Sequence, residues 1–156
     1  MEPVVEDRPE DSGKDAFVME DWPFYWLARF SGRYNQQMEK SLKAIGLDIP
    51  QWRVLMALRD SDSLGVGEIA DHAIIKLPTM TKIVKRMEAE GLIACTQRES
   101  DHRVTDVSLT PRGMEASEKA WDIAHRIYAR AFEDVSEKDI ARLNKLLRVV
   151  TRNIVE

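Results

Sequence analysis

The chain has 156 residues, 44% hydrophobic and 32% charged, the makeup of a soluble globular domain rather than a disordered or fibrous one. It has no apolar run of about 18 residues to span a membrane and no apolar signal core near its acidic start, and its single cysteine, Cys95, excludes an internal disulfide and suits a reducing cytoplasm. The formal net charge of −4 is unevenly placed: residues 1 to 21 hold eight acidic and two basic side chains, which leaves the rest of the chain at +2.

In chain order, residues 1–21 read as an acidic disordered tail, with too few large apolar residues to order themselves. Trp22 to Ala44 reads as a long helix, with Pro23 in its first turn and Gly46 as its stop. Leu27, Phe30, Tyr34, Met38 and Leu42 keep the three-to-four spacing of one apolar stripe. Asp48-Ile49-Pro50 opens a second helix carrying Trp52, Leu55, Met56 and Leu58. Val66 to His72 is a short helix, Ala73 to Lys76 a turn, and Leu77-Pro78 begins a helix that runs to about Glu90 and closes at Gly91. Short helix, tight turn and second helix follow the helix-turn-helix plan.

The period then changes to that of strands. Leu92–Arg98 and Thr105–Leu109 flank a polar hairpin tip, Glu99 to Arg103. Thr110-Pro111 reads as an N-cap followed by proline in the first helical turn, and a helix of about 20 residues follows. Ser136-Glu137-Lys138-Asp139 resembles a capping box ahead of a last helix striped by Ile140, Leu143, Leu147, Val150 and Ile154. The expected fold is mainly α with a small β-wing: a winged helix-turn-helix, residues 47–112, between terminal helices, residues 22–46 and 113–156. Such long striped helices exceed what one compact domain needs, so they are expected to pair with a second copy in a homodimer.

The helix after the turn has the spacing of a recognition helix. Thr79, Lys82 and Arg86 share a face flanked by Thr81 and Lys85, while Ile83, Val84 and Met87 turn inward. Lys and Arg meet phosphates or guanine edges, and Thr meets a base edge or a thymine methyl. Arg103 at the hairpin tip is suited to a minor groove, with Asp101 two residues earlier to orient it. The plain alternatives are a solvated charged helix face and a surface ion pair.

Asp101-His102-Arg103-Val104-Thr105-Asp106-Val107-Ser108-Leu109-Thr110-Pro111-Arg112-Gly113 resembles the D-x-R-x-x-x-V-x-L-T-x-x-G signature of MarR-type regulators. Gly46 to Leu55 resembles that family's entry into its second helix, and Thr79–Val84 with Glu90–Ile93 its recognition helix and first wing strand. The match runs over residues 22–156. It implies a triangular homodimer whose recognition helices enter successive major grooves of double-stranded DNA, roughly 34–36 Å apart on a pseudo-palindrome. It also implies a repressor released by a small-molecule effector that favours one spacing of the two heads. One departure is Cys95, where the family usually carries arginine; Arg98 is the candidate to replace its phosphate contact.

For the effector, aromatic residues of three helices suggest a pocket of Trp26, Arg29, Trp52, Arg53, Trp121 and His125, suited to an aromatic acid. Phe24 to Arg29 resembles regulators of aromatic-acid catabolism, some of which take coenzyme A thioesters. A core and interface role for the same aromatics is an equal reading. Alternatives are a redox regulator acting through Cys95, a metal-responsive one, or a helical interaction module that binds no DNA. Relatives that sense peroxide place the cysteine near the first helix, which here has none, and His72, His102 and His125 lack ligand spacing. No cofactor is expected, and no nucleotide-binding, hydrolase or metalloprotease motif argues for an enzyme.

Overall fold

The computed structural model describes residues 17–155. Most of the expected acidic tail lies outside them. Its end does not: Met19–Asp21 form a 3-10 turn ahead of the first helix. The Trp26 indole explains this, donating to the Glu20 carbonyl at 2.7 Å. The chain divides into two units, residues 1–35 and 36–156.

The elements are α1 (Pro23–Lys43), α2 (Ile49–Arg59), β1 (Leu64–Gly65), α3 (Val66–Ala73), α4 (Leu77–Ala89), β2 (Ile93–Gln97), β3 (Thr105–Leu109), α5 (Pro111–Ala131) and α6 (Glu137–Ile154). The sheet is antiparallel in the order β1-β3-β2, with Cys95 opposite Val107 and Leu64 also opposite Val107 on the other side. β1, like the Met19–Asp21 turn, is absent from the sequence expectation. Two residues show no alternation to read; pairing with a strand some 40 residues away creates it.

In the N-terminal unit, Trp22, Phe24, Trp26 and Phe30 of the first helix stay about half exposed, while Tyr25 and Trp26 pack edge to face. In the second unit the core is continuous. Val54, Leu55 and Leu58 of α2 are buried with Ile69 of α3, Met80 and Met87 of α4, Ile93 of β2 and Val107 of β3. Each such side chain contributes about 1.5–3 kcal/mol by leaving water. This core holds α3 and α4 together and seats the hairpin β2–β3 beside α4.

The helix ends are where the residue types predict them. Asp48 Oδ1 accepts from the Gln51 backbone N–H at 2.8 Å, and Gln51 Oε1 accepts from the Asp48 N–H at 3.0 Å, a full capping box. Gly46 and Gly91 take φ of +75° and +76° at the ends of α1 and α4. Thr110 accepts from Gly113 N–H at 3.0 Å and donates its hydroxyl to the Gly91 carbonyl at 2.6 Å, so one side chain starts α5 and ties it to the end of α4. The box expected at Ser136 is half formed: its Oγ accepts from Asp139 N–H at 3.1 Å but donates to the Asp139 carboxylate instead of receiving that carboxylate on the backbone. Helix α6 keeps none of its side chains buried, and Leu143, Leu146 and Val150 are 41%, 55% and 49% exposed.

Candidate nucleic-acid interface

Helix α4 turns Met80, Ile83, Val84 and Met87 into the core, and so presents Thr79, Lys82 and Lys85 to solvent. Thr81 lies between the two faces, and its hydroxyl donates to the Leu77 carbonyl at 2.9 Å, within the helix. Arg86 belongs to a different set. Its Nη2 donates to Asp48 Oδ2 at 2.7 Å, which draws it from the Thr79–Lys82 face toward the start of α2. Next to it Gln51, 3% exposed, donates from Nε2 to Glu90 Oε2 at 2.6 Å. The capping box of α2 thus holds the C-terminal half of α4 at two points.

The wing is braced at its base and clamped at its tip. At the base, Arg98 forks Asp106 through Nη2 at 2.7 Å and Nε at 3.1 Å, and reaches Glu68 of α3 at 3.3 Å. Glu68 also accepts from the Gly65 N–H at 2.6 Å, so α3, β1 and β3 meet on one carboxylate–guanidinium cluster. The phosphate contact expected of Arg98 therefore competes with two carboxylates already in place. Glu68 and Gln51 were not among the expected site residues; the spacing Gly65-x-x-Glu68, a helix-start pattern, was the available signal for the first.

At the tip, Arg103 is 91% exposed at its side chain, and Asp101 grips it three ways: its backbone N–H at 3.1 Å, Nε at 3.0 Å and Nη2 at 3.2 Å. The guanidinium and that backbone N–H hold the Asp101 carboxyl below the usual carboxylate range. A cleft of about 710 Å³ separates wing from helix, lined by Leu77, Thr81, Lys85, Cys95, Arg98 and Arg103 among others. Lys85 of the helix and Arg98 and Arg103 of the wing thus face one groove, whose walls also carry the carboxylates Glu68 and Glu88. Burial, with the Glu88 carboxylate beside it, pushes the Cys95 thiol up to about 11, so it is protonated at neutral pH.

The residues expected around an effector have separate roles. Trp52 is 8% exposed and part of the core, and Arg53 donates to the Ala73 carbonyl at the end of α3 at 3.3 Å. The burial of Trp52 is the core reading the sequence leaves open, and the Arg53 contact is one that spacing does not disclose. Trp121 and His125 share an exposed face of α5 with Tyr128 and Phe132, ring centroids 6.4, 6.4 and 4.9 Å apart along the row. Arg59 lies 4.9 Å over the Trp121 ring and 3.1 Å from Glu118. In the N-terminal unit Trp26 is bonded to Glu20, and Arg29 sits 5.4 Å over the Tyr25 ring. None of the six lines the cleft of about 340 Å³ formed by Ile45, Leu47, Leu92, Arg112 and Lys119. Among the described residues no three His, Cys, Asp or Glu side chains are placed to hold a metal ion, and no helix is long and apolar enough to cross a membrane.

Comparison with known proteins agrees with this geometry. The MarR family model matches residues 47–105. The chain is 44% identical over 144 residues to the HTH-type transcriptional repressor IacR of Pseudomonas putida, covering 92% of this chain and 86% of that protein. A crystal structure of a MarR family regulator from Silicibacter pomeroyi superimposes with a TM-score of 0.81 at 25% identity, covering 88% and 93% of the two chains. BpsR of Bordetella bronchiseptica, whose DNA binding is regulated by 6-hydroxynicotinic acid, shares the fold with a TM-score of 0.71 at 24% identity, over 82% and 97%. A recognition helix, a clamped wing arginine and relatives of matching length together place the chain in the MarR family of winged-helix transcriptional regulators.

Proposed function

We propose that the protein is a homodimeric repressor that occupies a pseudo-palindromic operator and leaves it when a small molecule binds. The observation that carries the DNA contact is the Asp101–Arg103 clamp. It holds an almost fully exposed guanidinium at the tip of a braced hairpin, across one cleft from Lys85. An exposed arginine ordered in this way enters a minor groove without the entropy cost of immobilising it on arrival. Thr79, Thr81, Lys82 and Lys85 meet the major groove and its phosphates. Arg86 and Arg98 act through their carboxylate partners, positioning helix and wing.

The dimer rests on α6, whose apolar stripe has no cover within the described chain. The repressor role is drawn from IacR, similar over nearly the whole chain. The effector reading rests on the aromatic row of α5, Trp121, His125 and Tyr128, with Arg59 over the Trp121 ring; a ligand carboxylate would share or displace the Glu118 carboxylate that now pairs that guanidinium. Regulation by an aromatic acid in BpsR supports that chemistry by analogy of fold.

The test is a duplex selected from a random-sequence pool by the purified protein, followed by anisotropy titration across salt and light scattering of the free protein. Binding that weakens linearly in log–log form with salt, to a two-fold symmetric site, by a species of twice the chain mass, is expected. A monomer, or a protein that enriches no sequence at low ionic strength, overturns the reading. Aromatic carboxylates that displace the duplex identify the effector class.

A further inference from the structure

The turn between α3 and α4 exposes an apolar residue at a strained position. Ile74 is 91% exposed and sits at φ 53°, ψ 46°, in the left-handed region. A β-branched residue is an outlier there; glycine or asparagine is the ordinary choice at such a helix end. The side chain therefore opposes both local conformation and solvation, and no packing offsets it. Three residues on, Leu77 opens the recognition helix at 52% exposed and lines the cleft that Thr81, Lys85 and Arg103 also line. Exposed Lys76 and Lys82 flank the pair. An apolar edge with lysines on its helix side and Asp71 before it, at the helix end that the DNA-binding reading puts in a major groove, matches one feature of DNA: the thymine 5-methyl, the apolar group that groove displays.

We infer that Ile74 and Leu77 read thymine methyl groups in the operator and are specificity-determining residues of this regulator. The inference rests on the DNA-binding reading above and adds to it which bases are read and how. The surround favours a nucleic acid over a second protein copy, because Lys76, Lys82 and Lys85 would repel the same face of another chain.

The experiment uses the full-length protein and the duplex it selects from a random pool. Each thymine is replaced in turn by deoxyuridine, which deletes the methyl and keeps the base pair. The wild type should lose about fourfold in affinity at particular thymines, the worth of one buried methyl. Leu77→Ala and Ile74→Asn should abolish that loss while binding the uracil-substituted duplex as the wild type does. Ile74→Asn should also keep or raise the thermal midpoint, because asparagine tolerates the left-handed region. The inference is overturned if no thymine matters, if the loss persists in both variants, or if Ile74→Asn lowers the midpoint or changes the oligomeric state. Failure to select any duplex overturns the DNA-binding reading itself; a selected duplex indifferent to methyl deletion overturns this inference alone.

Discussion

Arg86 reaches from the recognition helix to Asp48, the residue that caps the start of α2, with Nη2 2.7 Å from Oδ2. Asp48 serves two partners at once, the Gln51 N–H and this guanidinium, and Arg86 serves one. Asp48→Ala should therefore cost more than Arg86→Ala, about 1–1.5 kcal/mol against about 0.5 kcal/mol, since the half-exposed ion pair is screened and the cap is not. Urea denaturation midpoints should fall in that order; equal losses would deny the cap its share.

Gly113 has no room for a side chain. A Cβ built there would lie 1.8 Å from the Leu92 carbonyl oxygen, a backbone atom that cannot swing away. Gly113→Ala should destabilise by about 3 kcal/mol or more, or leave the protein insoluble. Gly67→Ala, whose Cβ meets nothing within 4 Å on a helix, should be neutral or stabilising by up to about 1 kcal/mol. Comparing the two denaturation midpoints separates close approach from helix propensity.

The wing tip gives a prediction read mainly in DNA affinity, because an exposed ion pair adds little stability. Arg103 pairs with Asp101 of its own hairpin and is 91% exposed at its side chain, so Arg103→Ala should move the thermal midpoint little while affinity for the selected duplex falls and the log–log salt slope drops by about 1. The carboxyl of Asp101 is shifted down, so its contribution is present above the ordinary value of about 4 and lost only as pH falls below it. Duplex binding should accordingly show no step from this pair between about pH 6 and 8 in an anisotropy series.

Cys95 should resist alkylation. A thiol raised from 9.0 to about 11 has a thiolate fraction about a hundredfold below that of a free cysteine at neutral pH. Iodoacetamide labelling followed by mass should be slowed by about tenfold or more, the higher nucleophilicity of a high-pKa thiolate offsetting part of its scarcity, and Glu88→Gln should speed it by removing the neighbouring carboxylate. Labelling at the rate of free cysteine would reopen a redox role for this residue.

What could be read beforehand was local. Asp48 with Gln51, Gly46, Gly91 and Thr110-Pro111-x-Gly113 each act within a few residues, so helix ends fell close to the expected places. The carboxylates that Arg86 and Arg98 meet could not be read in the same way: Asp48 lies 38 residues from Arg86, and Arg98 is shared between Asp106, eight residues on, and Glu68, 30 residues back, and side-chain type does not disclose which carboxylate a guanidinium will find. Arg53 and Trp52 show the same limit: tertiary packing gives one to the Ala73 carbonyl, a contact that spacing does not disclose, and the other to the core, one of the two readings its residue type leaves open. Ile74 was invisible as a special residue until its backbone dihedral was known.

Helix α6 turns amount into a variable of this regulator. Eighteen residues with no side chain fully buried, Ile140 and Leu147 reaching only half-burial, give the lone chain an expensive C-terminal segment, and on the dimeric reading two copies must meet before it is covered. Dilution would then loosen the fold and empty the operator in one step, so the melting curve should shift with protein concentration and the cell's copy number would set both structural integrity and promoter silence.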